Sequence, residues 1–334
     1  MRQKGTLWGL IGAIALTVLI LDSKTALQSG SEAVQMCISA LIPSLFPFFV
    51  FTPMVTRLDL PICKPLCSLL RLPEQASGIL LTGFLGGYPT GAQAVSDAVK
   101  GRFIQPEDGR RMMAFCSNAG PAFLFGIGSQ LFFSIKYCWL IWGIHILSAV
   151  IVGILTPGSH GTCISREATA VSLPEALKKG IVTMGMVCGW VVLFRVLLTF
   201  CQRWFLWLLP VSGQVLFSGL VELANGCLNL SVIPCIGQRL TYFSLFLGFG
   251  GICVWLQTIS VSQGADTSLY LPGKIMQCMV TALLCAAVQL LIPAADRYYL
   301  PGWVYGIGVG ICVIYGLIMK KTEKRCGNYA AVGV

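Results

Sequence analysis

The chain has 334 residues, of which 56% are hydrophobic and 11% charged, with a net charge of +10 at pH 7 and a mean hydropathy of +0.79. This balance excludes an ordinary soluble domain and predicts a polytopic membrane protein. The basic excess is scattered over short loops between apolar runs, which fits a positive-inside bias and argues against nucleic acid as a partner.

In chain order, the first apolar run at 6–21 follows Arg2 and Lys4, and no small-x-small cleavage site comes after it. It reads as a retained first transmembrane helix within an N-terminal segment 1–30. Further spans are predicted at 33–56, 112–134, 136–156, 175–201, 239–262, 271–293 and 300–319, each near the roughly 20 residues a crossing helix needs. Two apolar segments remain, 76–99 and 204–235. Both carry Gly or Pro near the middle, "GFLGGYPTGA" from Gly83 in the first and "GLVELANG" from Gly219 in the second. Each is predicted to enter the membrane and return, because broken backbone at that depth is tolerated where protein or a watered cavity satisfies it. Gly83, Gly86, Gly87 and Gly91 let the chain reverse, and Pro89 removes a donor.

With a cytoplasmic N-terminus and both hairpins returning, the 23 Lys and Arg sort sharply. Only Lys24, Lys136, Arg203, Arg239 and Arg297 fall outside, and Arg195 lies within a span. The remainder, including Arg57, Lys64, Lys100, Arg102, Arg111, Lys178, Lys179 and Lys274, falls on the cytoplasmic side. A crossing at 76–99 would instead move the basic loop 100–111 outside, against the rule.

The surroundings of the two hairpins repeat. Glu32-Ala33 matches Glu175-Ala176 at an offset of 143, Gly83 matches Gly219 at 136, and Arg111, Phe115 and Gly120 match Arg239, Phe243 and Gly248 at 128. Offsets that shrink in order are those of a duplicated unit with shortening loops. The charges place the two units in opposite senses, so the expected architecture is all-α with an inverted repeat, two re-entrant hairpins and broken helices. The predicted division is a first repeat at 31–156, a cytoplasmic loop at 157–174, a second, inverted repeat at 175–298, a last helix at 299–319 and a basic cytoplasmic tail at 320–334.

Polar groups at membrane depth are the candidate site. Glu222 sits beside the break marked by Asn225 and Gly226 and is a candidate for H⁺ or Na⁺ coupling, for hydrogen bonding to substrate, or for a structural partner of Arg195. Arg195 has the fork that holds carboxylates bidentately, and its alternatives are snorkelling or pairing with Glu222. Ser117 and Asn118 precede a Gly-Pro break, after which a helix N-terminus would face an anion. Gln93, Gln214, Ser218 and Gln257 are further lining candidates, and His145 reads as a structural histidine. Most of the fifteen cysteines lie singly in apolar runs and read as packing residues, and Cys63 and Cys67 lack the companions of a metal site. No G-x-x-x-x-G-K-[ST] or H-E-x-x-H is present and no nucleophile and base pair stands out, so an enzyme is not expected.

"GFLGGYPTGA", "FCSNAGPAFLFG", and "GLVELANG" with "FLGFGGICVWLQ" resemble the YlbJ-type sporulation integral membrane proteins, a family carrying the nucleoside-recognition Gate domain, over roughly residues 30 to 320. The resemblance implies a fold similar to concentrative nucleoside transporters. It implies a site built from the first hairpin, with Gly86, Gly87, Tyr88, Pro89 and Thr90, and from the second, with Glu222 and Asn225. It further implies a place in the mother cell's outer forespore membrane, and movement of dipicolinic acid by alternating access. The first hairpin lacks the polar, acidic signature of nucleoside transporters, and Arg195 suits a flat dianion. The expected partners are therefore a small anionic substrate and the lipid bilayer, with no cofactor beyond a coupling H⁺ or Na⁺, and related transporters assemble as homo-oligomers. A nucleoside-like substrate and a non-transporting membrane sensor or assembly factor are the alternatives.

Overall fold

The computed structural model describes residues 2–156, 158, 171–262 and 264–331, with side chains described for 9–319 of these. Most of the loop 157–174, and the side chains of Arg2, Lys4, Arg166, Lys320, Lys321, Lys324 and Arg325, lie outside the described residues. Among the described residues the chain is all-helical. Six helices are long and apolar enough to cross a membrane: Ser23–Val55, Ile135–Leu155, Leu173–Trp204, Ile236–Val261, Tyr270–Leu291 and Gly302–Met319. With large apolar side chains such as Ile14, Trp139, Leu193 and Trp303 left on its outer surface, the protein is a polytopic membrane protein.

α1 (Arg2–Leu21) ends at Asp22, whose side chain caps α2 (Ser23–Met36) by accepting from Thr25 N. A π-helical turn at Cys37–Leu41 joins α2 to α3 (Ile42–Val55), so this crossing starts ten residues before the predicted 33. Of α1, the apolar stretch with described side chains is Gly9–Leu21, which is shorter than a crossing. After the short α4 (Lys64–Leu69), α5 (Ser77–Leu85) and α6 (Thr90–Lys100) pack against each other as a hairpin. Both ends of this hairpin return to the end of α3. Ser77 Oγ accepts from Leu60 N at 3.0 Å, and a Cβ on Gly101 would lie 3.3 Å from the Arg57 guanidinium.

α7 (Pro106–Met112) and α8 (Pro121–Leu131) are separated by non-helical backbone, which corrects the continuous span expected at 112–134. Pro121 stands at the first turn of α8, where its missing N–H costs nothing, and Gly120 before it is extended. α9 (Ile135–Leu155) follows, then α10 (Leu173–Trp204). α11 (Val211–Val221) and α12 (Leu223–Asn229) form a second hairpin. α13 (Ile236–Phe249) and α14 (Gly251–Val261) meet at Gly250 and Gly251, both at φ +84°, a left-handed conformation that glycine alone adopts freely. α15 (Tyr270–Val288) and α16 (Gly302–Ala331) complete the chain. The order long helix, short hairpin, broken helix, long helix therefore occurs twice, over α2–α9 and α10–α15.

Two of the charges assigned to the cytoplasmic side are buried. Arg111 is 1% exposed and donates to Leu70 O, Arg71 O and Thr156 O while pairing with Asp108, so it ties three chain ends together. Lys274 is 0% exposed, one turn inside α15.

In each hairpin one glycine lets the two arms touch. A Cβ on Gly91 would lie 2.9 Å from Gly83 Cα and 2.0 Å from Cys116 O, and one on Gly226 would lie 2.1 Å from Gly219 Cα. Gly91→Ala is expected to cost about 1–3 kcal/mol by overpacking against backbone. Gly12→Ala, where a Cβ meets nothing within 4 Å, serves as the neutral control, and thermal unfolding in detergent compares the two.

Candidate functional site

Both hairpin tips and both helix breaks converge at one place. At the first tip, α5 ends at Gly86, Gly87 turns at φ +82°, the Tyr88–Pro89 bond is cis, and Thr90 Oγ1 donates to Gly87 O at 2.7 Å. A Cβ on Gly87 would lie 3.4 Å from Gly120 N, and one on Gly250 would lie 3.3 Å from the Tyr88 ring. The first tip thus rests on both breaks, with Gly87 and Gly250 in the left-handed conformation that glycine adopts freely. The second tip meets the second break, where a Cβ on Gly251 would lie 3.2 Å from Gly219 O.

The first break is held by long-range hydrogen bonds. Asn118 Nδ2 donates to Gly83 O at 3.1 Å and to Phe115 O at 2.7 Å, and Ala119 N donates to His145 Nε2 at 3.1 Å. His145 is therefore an acceptor that satisfies broken backbone, as its structural reading anticipated. Lys274 Nζ donates to Ser117 O, to Gln277 Oε1 at 2.7 Å and to Tyr88 Oη at 3.2 Å, and lies 3.4 Å from Asn118 Oδ1. Tyr88 Oη in turn donates to Leu247 O at 2.9 Å, so its one hydroxyl accepts from α15 and donates to α13. Lys274 escaped the sequence reading because a lysine after Leu-Pro-Gly looks like a loop charge. The available signal was the spacing Tyr270, Lys274, Gln277, which places all three on one helix face.

Around the second break runs a different chain of polar contacts. Glu222 is 2% exposed and caps α12, accepting from Ala224 N at 3.1 Å, Asn225 N at 2.7 Å and Asn225 Nδ2 at 2.6 Å. Asn225 Oδ1 accepts from Arg195 Nη1 at 2.9 Å, and Arg195 Nη2 pairs with Glu32 Oε2 at 2.8 Å. Arg195 is thus joined to Glu222 only through Asn225, and its direct carboxylate partner is Glu32 of α2.

A cavity of about 40 Å³ lies between these groups, lined by Tyr88, Gly120, Phe123, Glu222, Gln257 and the π-turn residue Leu41, among others. That is room for roughly two or three waters. The N-terminus of α8 borders it through Ala119, Gly120 and Phe123, which sets the positive dipole end of that helix at the cavity wall. Leu41, Phe123 and Ala224 also line a vestibule of about 700 Å³, whose polar wall is Glu32, Gln35, Ser39, Ser44 and Gln130. Toward the opposite end, beyond the first tip, lies a 30 Å³ pocket with Thr90, Gln93, Arg57, Asp97 and Lys179 around it. Lys179 and Asp97 pair there at 3.6 Å, bridging α10 to α6.

Of the site residues expected from sequence, Tyr88 and Glu222 reach the cavity, joined by Gln257. Gly86, Gly87 and Pro89 shape the tip, and Thr90 faces the small pocket on the far side. Ser117 and Asn118 hold the break, while Arg195 and Asn225 connect the vestibule wall at Glu32 to Glu222. Gln214 and Ser218 are spent on bonds within α11 and its approach. Comparison with known protein families, curated proteins and solved structures finds no match.

Tyr88→Phe removes one acceptor for Lys274 and one donor for Leu247 O, both buried. A loss of about 1–3 kcal/mol is expected, together with faster amide hydrogen exchange over 83–92 and 113–120. Tyr299→Phe, at an exposed position, should leave both unchanged, and thermal unfolding with exchange mass spectrometry reads the difference.

Proposed function

We propose that the protein is a transporter that moves a small anionic solute by alternating access, with both hairpins re-entrant and the two halves related as an inverted repeat. The observation that carries this reading is the one-sided path. A 700 Å³ vestibule narrows to a 40 Å³ cavity between the hairpin tips, and among the described residues the first tip and the Lys179–Asp97 pair stand on its far side. A solute admitted from the vestibule reaches a floor that would have to move to release it. The twofold element order and the return of the first hairpin to the end of α3 support the inverted repeat and the re-entrant insertion.

For the substrate, the reading is dipicolinic acid, as the YlbJ-type resemblance implies, in a sporulation membrane. Three features favour an anion. The N-terminus of α8, with its positive dipole end, lies at the cavity wall. Arg195 Nη2 holds one carboxylate oxygen of Glu32, which lines the vestibule and is 47% exposed, so a substrate carboxylate can take the place of Glu32 in the same charge-assisted contact. Glu222 already occupies the donors of α12, so the second tip receives an incoming anion only through Arg195 and Asn225. Exchange of Glu32 for substrate would untie α2 from α10 while leaving Arg195 on Asn225, which couples binding to movement of the second hairpin.

Uptake of labelled dipicolinate into proteoliposomes, with uridine alongside, tests the proposal. Saturable dipicolinate flux, reduced at least ~10-fold in Arg195→Ala by loss of a charged hydrogen-bond partner, is expected. Absence of flux of either compound in folded protein would favour a membrane sensor, and flux of uridine alone would favour a nucleoside-like substrate.

A further inference from the structure

Lys274 is a buried cation with no acid beside it. Among the described residues no carboxylate pairs with it, whereas every pairing in which a described Lys or Arg meets Asp or Glu lies elsewhere. Charge at membrane depth without a counter-charge is costly unless polar groups replace its hydration shell. That replacement is present. The ammonium is surrounded by four neutral oxygens from four residues: the Ser117 carbonyl, the Asn118 and Gln277 side-chain amides, and the Tyr88 hydroxyl. The Tyr88 and Tyr270 rings add their faces at 5.1 and 5.9 Å.

An ammonium has three N–H bonds, so four oxygens exceed what its donors require. Convergence of oxygen dipoles on one point is the arrangement of a cation-coordination shell, like the carbonyl rings that replace the hydration of an alkali ion. The acceptors are also oriented from outside. Tyr88 Oη spends its proton on Leu247 O, the Asn118 amide spends its N–H₂ on Gly83 O and Phe115 O, and the Gln277 amide spends its own on Asn118 Oδ1 and His145 O. Each is therefore fixed with its oxygen toward the centre. None of the four oxygens carries a charge, whereas divalent-ion sites draw on carboxylates, so the cage suits a monovalent cation.

We infer that the junction of the first hairpin tip, the α7–α8 break and α15 is a monovalent-cation site whose cation is supplied covalently by Lys274. The tip and the break are cross-linked by a charge that cannot dissociate. No exchangeable Na⁺ or K⁺ is needed at this junction to close the first hairpin, and none is consumed there in a transport cycle. This holds whichever solute the protein carries, so it stands or falls separately from the transport reading.

The test is thermal unfolding of purified full-length protein in KCl, NH₄Cl, NaCl and choline chloride at equal ionic strength. In Lys274→Ala the oxygens are left without a donor and can accept a free ion, so K⁺ or NH₄⁺ should raise the midpoint by at least ~2 °C over choline. Wild type should melt at the same temperature in all four salts. Lys274→Met, which fills the space with an uncharged chain of similar length, should be destabilised and equally insensitive. A Lys274→Ala protein that ignores the salt, or a wild type stabilised selectively by one alkali cation, would overturn the inference. Should Lys274→Ala not survive extraction, hydrogen exchange of wild-type residues 83–120 in the same salts decides. Protection independent of the cation upholds the built-in ion, and protection that needs K⁺ or Na⁺ overturns it.

Discussion

The Tyr88 hydroxyl joins three parts of the chain that are otherwise held apart by 159 and 186 residues of sequence, accepting from Lys274 and donating to Leu247 O. Everything around it is arranged so that this contact can form. Gly87 turns the tip in a conformation that side chains resist, Gly120 and Gly250 leave room for the tip to sit on both breaks, and Gly273 clears the path between α15 and Ala114. The broken backbone then finds partners inside the protein, which is what permits irregular structure within an apolar bundle. Remove the polar junction and the tip would leave buried carbonyls and an ammonium without partners, at a cost comparable to a large part of a domain's net stability.

The two hairpin tips are held by different materials. Around the first tip, contacts are numerous, buried and made by fixed amides, a carbonyl and one tethered charge. Around the second, the Glu32–Arg195–Asn225–Glu222 relay ends in a carboxylate that is 47% exposed at the vestibule wall. Partly exposed ion pairs contribute little and exchange readily, whereas buried networks resist opening. The side that faces the vestibule is thus the compliant one, and the side behind Tyr88 is the resistant one. The π-turn at Cys37–Leu41 adds to this asymmetry, since it places Leu41 in the wall shared by cavity and vestibule.

What the sequence revealed depended on whether the chemistry was local. "GFLGGYPTGA" could be read as a chain reversal because glycine and proline act on their own dihedrals, and the hairpin at Ser77–Lys100 lies where that stretch placed it. The long apolar helices from Ile135 onward follow from length and hydropathy alone. The span expected at 112–134 failed because apolar residues continue through Met112–Cys116 and Phe123–Leu131, while the groups that stabilise a break between them come from Gly83, His145 and Lys274. Lys274 was misplaced for a related reason. Charge-sorting treats each basic residue as solvated, and beyond the spacing of Tyr270, Lys274 and Gln277 nothing local marks a lysine whose other acceptors lie 156 to 186 residues away. Glu32, the partner of Arg195, is separated from it by 163 residues and was read only as a repeat marker.

The account rests on the vestibule side and the far side opening in alternation. The direct test is a pair of spin-label distances in the same protein in liposomes, one across the vestibule between Gln35 and Gln130, the other across the far end between Lys100 and Lys178. On saturation with dipicolinate, a shorter vestibule distance should become populated together with a longer far-side distance. Distances that stay fixed, or that lengthen together, would contradict alternating access and leave the molecule a static membrane receptor.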